Sequence, residues 1–341
     1  MSSNTMQGVT KRSGDEGDVG LVEHALPKAR TGCVVLQVGG VGLCGTDLHI
    51  YKNEYASNPP VILGHEVCGT VAEVGDGVDP SLIGKRCVAE TFFSTCQTCR
   101  YCREGRPNMC AQRKSIGTHV NGAMAPFLEV PAKSLHEVPD TLSFAEASLS
   151  EPVACVANSL FGAESYIEPS DRVLVTGPGA IGLIAAQVAR LCGAEVTVRG
   201  TDRDAQRLAK ASELGFATSV VGDSIESESF DKVVECSGSG FAFADALNLL
   251  TKGGHLMNMG LSGKTSTLML DPICMKELKI TSGFASTPQS WRRAMKWVNS
   301  GQIELGALIT DVLPLSKWDV GFERSFAADG IKFVFDPRLD T

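Results

Sequence analysis

Val173-Leu174-Val175-Thr176 runs straight into Gly177-Pro178-Gly179-Ala180-Ile181-Gly182, and an apolar run from Leu183 to Leu191 follows. A short apolar strand, a turn with glycines at G-x-G-x-x-G spacing and a helix form the context that dinucleotide binding requires. Gly177 permits the tight turn, Gly179 lets the backbone approach a pyrophosphate, and Gly182 allows close helix–strand packing. The helix N-terminus favours the pyrophosphate charge, so Ala180 and Ile181 are counted among the expected cofactor contacts. A plain Gly-rich turn is the alternative, and the strand and helix on either side argue against it.

Outward from this motif, strand and helix alternate. Val196 to Arg199 reads as the second strand. Asp202 follows Gly182 by about twenty residues, where an acid binds the adenosine ribose hydroxyls and favours NAD. Arg199 and Arg203 could receive a 2′-phosphate, so NADP stays open. Arg207 is also placed on the cofactor side. Ala205 to Gly215 reads as a helix with Gly215 just past its end. Ser219 to Val221, Lys232 to Cys236 and His255 to Met259 are further strands, and Phe241 to Leu250 is a helix. Such alternation gives a doubly wound parallel sheet. Gln289 to Asn299 reads as helical, and Ile331 to Phe335 as a last strand returning to the first domain. The chain has 341 residues, enough for two domains. The expected division is 1–152 with 288–341 for a catalytic domain, and 153–287 for dinucleotide binding.

The first third is β-rich, with short strands and glycine corners, as in a partly closed barrel. Val19 to Val41 reads as hairpin material, Asn58-Pro59-Pro60 as a turn, and Val67 to Val74 and Val78 to Val88 as strands. Ala123 to Pro139 reads as strand, turn and strand. Residues 1 to about 18 are polar and expected to fray. The net charge of −8 argues against a nucleic-acid or anionic-membrane partner, which would call for a basic face. No run of about 18 apolar residues exists, so no membrane span is expected. Without an apolar signal segment the expected location is cytoplasmic. Twelve cysteines in a reducing compartment read as metal ligands or buried thiols.

Some of those cysteines carry chemistry. Cys44-Gly45-Thr46-Asp47-Leu48-His49 precedes Gly64-His65-Glu66 by some twenty positions. Thiolate, imidazole and carboxylate are all zinc ligands. Cys44 and His65 cannot share one helical turn, so a fold must bring them together. A buried cysteine in a Gly-rich turn is the plainer reading of Cys44 alone. Cys96, Cys99, Cys102 and Cys110 follow at C-x₂-C-x₂-C-x₇-C spacing in a polar loop. Four thiolates so close can complete a tetrahedral shell that replaces a core the loop lacks. A redox pair with two spare thiols is the alternative. Thr141 or Ser143 reads as a helix N-cap, and Glu146, three residues beyond Ser143, suggests a capping box that opens an alanine-rich helix. Glu151-Pro152 falls inside that run, where a carboxylate before a helix-kinking proline is unusual for pure packing.

Taken together, these motifs resemble the zinc-dependent medium-chain alcohol and polyol dehydrogenases, in particular the sorbitol- and threonine-dehydrogenase-like branch. The resemblance runs from about Val19 to Pro337. It implies a GroES-like catalytic domain beside a Rossmann domain. It implies one catalytic zinc on Cys44, His65 and an acid, with Glu151 standing where that branch has its glutamate and Glu66 a direct or intermittent ligand. It also implies a structural zinc on Cys96, Cys99, Cys102 and Cys110, and a proton relay through Thr46 and His49. Met259 falls near the nicotinamide by the same resemblance. The run Arg199-Gly200-Thr201 is about one residue longer than the family pattern, which bears on the choice between NAD and NADP. The expected reaction is hydride transfer between a secondary alcohol (a polyol, sugar or similar polar alcohol) and NAD(P). Amino-alcohol oxidation of the threonine type and carbonyl reduction are the alternatives. A non-catalytic dinucleotide-binding module would be expected to lose its zinc ligands, and here all are present. A homodimer or homotetramer is expected from the resemblance alone.

Overall fold

Strand β1, Thr5–Lys11, pairs antiparallel with β2, Val19–Ala25, from Thr5 opposite Ala25 to Lys11 opposite Val19. The polar N-terminus is therefore not frayed over this stretch. Val9, Thr10 and Lys11 are all fully buried. The buried Lys11 ammonium donates to the Tyr51 carbonyl (3.2 Å) and to that of Asp15, which is how a lysine is accommodated there. The computed structural model describes residues 4–340 apart from 163 and 165, so residues 1–3 lie outside that description.

The chain forms two units. One contains the residues up to Glu151 together with those from Ile309 onward, and the other is Pro152–Leu308. In the first, β3 (Cys33–Gly42) leads to the short helix α1 (Gly45–Tyr51), then β4 (Val61–Ile62) and β5 (Glu66–Val74). Next come β6 (Arg86–Ala89), β7 (Phe92–Ser94), α2 (Arg100–Arg103), β8 (Lys114–Ser115), β9 (Phe127–Pro131), β10 (Leu135–Glu137) and α3 (Phe144–Ser148). The expected hairpin from Val19 to Val41 does not form. Instead β2 pairs only with β1, while β3 pairs with β5 and β9. Gly39 and Gly40 lie inside β3, at a register shift against β5. The stretch from Val78 to Val88 is strand only at its end. Pro80–Leu82 is a 3₁₀ turn, with the Ser81 N–H donating to the Asp79 carboxylate (2.9 Å). The core of this unit gathers Val34, Leu36, Val38, Val41, Leu63, Val67 and Met124, all almost fully buried.

The Ser143–Glu146 capping box is present. The helix it opens ends at Leu149, and α4, Ser150–Phe161, begins anew. Pro152 therefore sits in the first turn of α4, where its missing N–H would have no intrahelical partner, and it makes no kink.

The second unit contains β11 (Arg172–Thr176), α5 (Ala180–Leu191), β12 (Glu195–Gly200), α6 (Ala205–Glu213), β13 (Ala217–Val220), β14 (Phe230–Glu235), α7 (Gly240–Leu249), β15 (Leu250–Asn258), α8 (Asp271–Met275), β16 (Lys279–Ser282) and α9 (Pro288–Asn299). Its six strands are all parallel in the order β13-β12-β11-β14-β15-β16. This is a doubly wound sheet whose ligands bind beyond the carboxyl ends of the strands. Helix α9 remains with this unit, so the return to the first comes at Ile309 rather than 288. Arg293 donates to the Phe161 carbonyl (3.1 Å), and Gln187 of α5 accepts the Glu304 N–H (2.7 Å), which ties the segment down. The chain then adds β17 (Ile309–Leu313), α10 (Trp318–Phe326) and β18 (Lys332–Phe335) to the first unit. β18 pairs with β3 and β17. No helix among the described residues is long and apolar enough to cross a membrane.

Candidate functional site

Cys44 is the N-cap of α1, and its sulfur accepts the Thr46 N–H (3.5 Å). Asp47, fully buried, closes the cap by accepting the Cys44 N–H (3.0 Å) and accepts the Gly64 N–H (3.1 Å) with its other oxygen. That carboxylate thus fastens together the two stretches that sequence separates by some twenty positions. It was missed as a site residue; its signal was the acid three positions after a helix cap. Cys44, His65 and Glu66 each offer a ligand atom within 4.8 Å of the others. His65 Nδ1 is buried, makes no hydrogen bond and lies 3.8 Å from Asp47 Oδ1. A carboxylate on that side orients the ring so that its other nitrogen is left for a metal. Burial opposes charge on His65, yet the Cys44 sulfur and Asp47 carboxylate outweigh it and raise its pKa well above the ordinary value. A metal ion would replace that proton.

Both Glu66 oxygens accept from Lys332 Nζ, at 2.8 and 2.9 Å, and the same ammonium donates to the Leu43 carbonyl (3.0 Å). Lys332 was also missed, because it sits in the apolar C-terminal strand β18. A side chain on Gly42 would begin 2.1 Å from Glu66 Oε2, so that position must be glycine for the carboxylate to lie where it does. Glu151, buried in the first turn of α4, accepts from the Thr91 hydroxyl (2.9 Å). It lies outside the close set of Cys44, His65 and Glu66, though near enough to act electrostatically on His65 and Lys332. Thr46 and His49 lie one turn apart on α1, the spacing that puts two side chains on one helix face. Thr46 Oγ1 is 3.6 Å from the Cys44 sulfur, and His49 Nδ1 is 2.7 Å from Glu54 Oε2.

The four sulfurs of Cys96, Cys99, Cys102 and Cys110 also converge within 4.8 Å. Zn–S bonds of about 2.3 Å in a tetrahedron place sulfurs about 3.8 Å apart. Cys96 lies 3.6 Å from Cys110 and 4.0 Å from Cys102, which fits. The Cys99 and Thr98 N–H groups bring the Cys96 thiol down to about 6, while at Cys99 the pull of the Cys102 N–H is outweighed by burial and the neighbouring thiols, which push it up to about 11. None of the twelve cysteines is in a disulfide.

The second unit carries the dinucleotide features. Gly177 has φ 86°. A side chain on Gly182 would begin 2.0 Å from the Gly177 carbonyl, so helix and turn approach as the fingerprint requires. Gly179 caps α5 without a side chain and has open space around it, leaving the first-turn N–H groups of Ala180 and Ile181 exposed to an anion. Asp202 opens the 3₁₀ turn Asp202–Asp204 just past β12 and is exposed. Asp204, not Asp202, supports that turn by accepting from Thr201 N (2.9 Å) and Oγ1 (2.7 Å). Arg207 faces Asp204 at 3.6 Å. Arg199 is buried, 3.6 Å from Asp245, whereas Arg203 beside Asp202 is exposed. Met259 follows β15, its N–H bonded to the Glu235 carbonyl (2.8 Å). Gly177, Asp202 and Met259 come just after the carboxyl ends of β11, β12 and β15.

Comparison with known proteins agrees with this arrangement. The family described as "Alcohol dehydrogenase GroES-like domain" matches residues 30–140, and that described as "Zinc-binding dehydrogenase" matches residues 180–300. The chain is 34% identical to D-arabitol-phosphate dehydrogenase of Enterococcus avium, covering 98% of each. It is 31% identical to sorbitol dehydrogenase of Halalkalibacterium halodurans over 97% of this chain and 99% of that one. Among solved structures, a zinc-binding dehydrogenase of Sinorhizobium meliloti 1021 bound to NADP superposes with a TM-score of 0.89 at 29% identity, covering 98% of this chain and 99% of that chain. With the zinc-ligand sets and the dinucleotide turn in place, the chain belongs to the zinc-dependent medium-chain alcohol and polyol dehydrogenases, oxidoreductases that work with zinc and NAD(P).

Proposed function

We propose that the protein oxidises a polyol or similar polar secondary alcohol, with Cys44, His65 and Glu151 holding the catalytic zinc and Glu66 exchanging with Glu151 at its edge. The observation that carries this is the convergence of Cys44, His65 and Glu66 within 4.8 Å, with Glu66 gripped through both oxygens by Lys332. That grip favours Glu151 as the lasting third ligand, because a carboxylate shared with a buried ammonium is a weaker donor. A zinc ion held by these residues would polarise the alcohol oxygen and so ease loss of its proton. Thr46 takes that proton at its hydroxyl, His49 receives it, and Glu54, 2.7 Å from His49 Nδ1, orients the ring toward solvent. A nicotinamide dinucleotide held by the second unit would supply the hydride acceptor. Gly177, Gly179, Ala180, Ile181 and Gly182 seat its pyrophosphate, Asp202 and Arg207 flank the ribose, and Met259 borders the nicotinamide. Cys96, Cys99, Cys102 and Cys110 bind the second zinc and give their lobe a core.

NAD is the preferred cofactor in this reading, since the exposed Asp202 stands just past β12, where an acid binds the ribose hydroxyls. Two relatives act, by name, on polyols: one on a polyol phosphate and one on sorbitol. A cytoplasmic homodimer or homotetramer completes the reading. The test is a panel of polyols, polyol phosphates, simple alcohols and threonine, each with NAD and NADP, read by absorbance of the reduced cofactor. The expected result is turnover of polyols or their phosphates with NAD. No turnover of any polyol by fully zinc-loaded protein would overturn the reading.

A further inference from the structure

Glu235 ends β14, is 1% exposed and takes no part in the chemistry proposed above. A buried carboxylate is tolerated where hydrogen-bond donors surround it. Here Oε1 accepts from the Thr176 hydroxyl (3.3 Å), the Ser237 N–H (2.7 Å) and the Ser237 hydroxyl, and Oε2 accepts the Gly238 N–H (3.1 Å). All four donors are neutral. The carboxylate therefore serves as a hub of hydrogen bonds rather than as half of an ion pair.

Those donors come from both sides of one crevice. The sheet is built outward in both directions from the neighbours β11 and β14, and ligands of such sheets bind beyond the carboxyl ends of the strands at that switch point. Thr176 ends β11 and runs directly into the glycine turn. Ser237 and Gly238 belong to the loop between β14 and α7, on the facing side. A side chain on Gly177 would begin 2.8 Å from the Ser237 nitrogen, so turn and loop are in contact. The bonds continue outward. The Ser237 hydroxyl oxygen accepts the Ser239 N–H (3.1 Å), and Ser239 caps α7 by accepting the Ala242 N–H (3.4 Å). A third segment joins at Gly260, just past β15, where a side chain would begin 2.6 Å from Glu235 Oε2. The Glu235 carbonyl accepts the Met259 and Gly260 N–H groups at 2.8 and 3.0 Å. One residue thus fixes the glycine turn, the β14–α7 loop and the end of β15 relative to one another.

We propose that Glu235 is a positioning residue for the dinucleotide: its carboxylate holds the walls of the crevice at the spacing that seats the cofactor. The proposal rests on the reading of the Gly177–Gly182 turn as the pyrophosphate seat. Shape and hydrogen bonding can be separated at this residue. Glu235→Gln keeps nearly the same shape, but an amide has one acceptor oxygen where the carboxylate has two. With that oxygen toward Ser237, the amide –NH₂ faces the Gly238 N–H, donor against donor. The loop must then draw back from the glycine turn.

The test measures Kd for NADH and NADPH by fluorescence titration on the zinc-loaded parent, on Glu235→Gln and on the double variant Thr176→Val, Ser237→Ala. Zinc content and melting temperature are measured on all three. KM for NAD and kcat are measured with the alcohol of the panel above that turns over fastest. The double variant leaves the carboxylate in place and removes two of its donors, so it decides the matter if Glu235→Gln does not fold. Kd for the tighter-binding dinucleotide and KM for NAD are expected to rise about fivefold or more in Glu235→Gln and about twofold or more in the double variant, with zinc content unchanged and kcat at saturating NAD within about twofold of the parent. An unchanged Kd in folded Glu235→Gln overturns the proposal, even if its melting temperature falls, because the carboxylate would then only stabilise the fold. An unchanged Kd in the double variant does the same where Glu235→Gln does not fold. A fall in kcat with KM for NAD unchanged also overturns it, since the residue would then act on the reaction and not on the seat of the cofactor. A parent that binds neither NADH nor NADPH would overturn the reading of the glycine turn, and the proposal with it.

Discussion

Lys332 and Glu66 stand 266 positions apart in the chain, yet the lysine ammonium bonds both oxygens of the carboxylate, at 2.8 and 2.9 Å. Neither side chain is more than 6% exposed. Burial opposes the charge on Lys332, but Glu66 and then Cys44 outweigh it and raise its pKa. The C-terminal strand β18 thereby places a cation beside the proposed zinc ligands.

Removing that cation leaves a buried carboxylate without its partner. Lys332→Met is expected to destabilise the protein by about 3–5 kcal/mol in urea unfolding. The double change Lys332→Met, Glu66→Leu should recover much of that loss, because an ion pair replaced by apolar groups costs far less than a broken one. A single variant within about 1 kcal/mol of the parent would show that the pair is not buried as described.

Cofactor choice turns on Asp202. Asp202→Ala is expected to reduce the ratio of kcat/KM for NAD over NADP by at least tenfold, since the carboxylate both binds ribose hydroxyls and repels a 2′-phosphate. Exposed Arg203, next in sequence, should then assist NADP. The ratio is read from initial rates with each cofactor at fixed alcohol. A parent protein that already prefers NADP would contradict this assignment.

His255 gives a pH signature independent of either zinc site. It is buried in β15 with Nε2 2.8 Å from the Thr281 hydroxyl. Burial, then Lys232 and Lys279, depress its pKa from 6.5 to about 4. Between those values the unfolded chain binds a proton that the folded one refuses. Stability is therefore fully present above pH 6.5 and declines as pH falls toward 4. His255→Gln should flatten that part of the melting-temperature profile, with a difference on the order of 1–3 kcal/mol across the window. Parallel profiles for parent and variant between pH 4 and 6.5 would rule out the depressed pKa.

Local chemistry was legible in the sequence. The Gly177–Gly182 turn, the four-cysteine spacing and the Ser143–Glu146 cap each depend on residues a few positions apart, and each folds as its pattern implies. Cys44 and His65 are distant, yet both belong to compact motifs, and the structure brings them together. What sequence did not reveal depends on distant partners. β1 looked like a polar tail because Lys11 is satisfied by carbonyls from other segments. Lys332 looked like an ordinary strand lysine until Glu66 was placed beside it. Pro152 suggested a kink because nothing in the local sequence marks the break at Leu149 that puts it in a first turn.

In the proposed function, Cys44 holds the zinc ion on which turnover depends, while the dinucleotide is bound elsewhere in the chain. The direct measurement is zinc content, NADH affinity by fluorescence titration and rate of alcohol oxidation on one preparation of Cys44→Ala beside the parent. The parent should carry two zinc ions, and the variant one. Turnover should fall by at least a thousandfold in the variant, and NADH affinity should stay within about threefold, because removing one zinc ligand abolishes the chemistry without touching the glycine turn. A variant that keeps two zinc ions, or that turns over at the parent rate with one, would contradict the account.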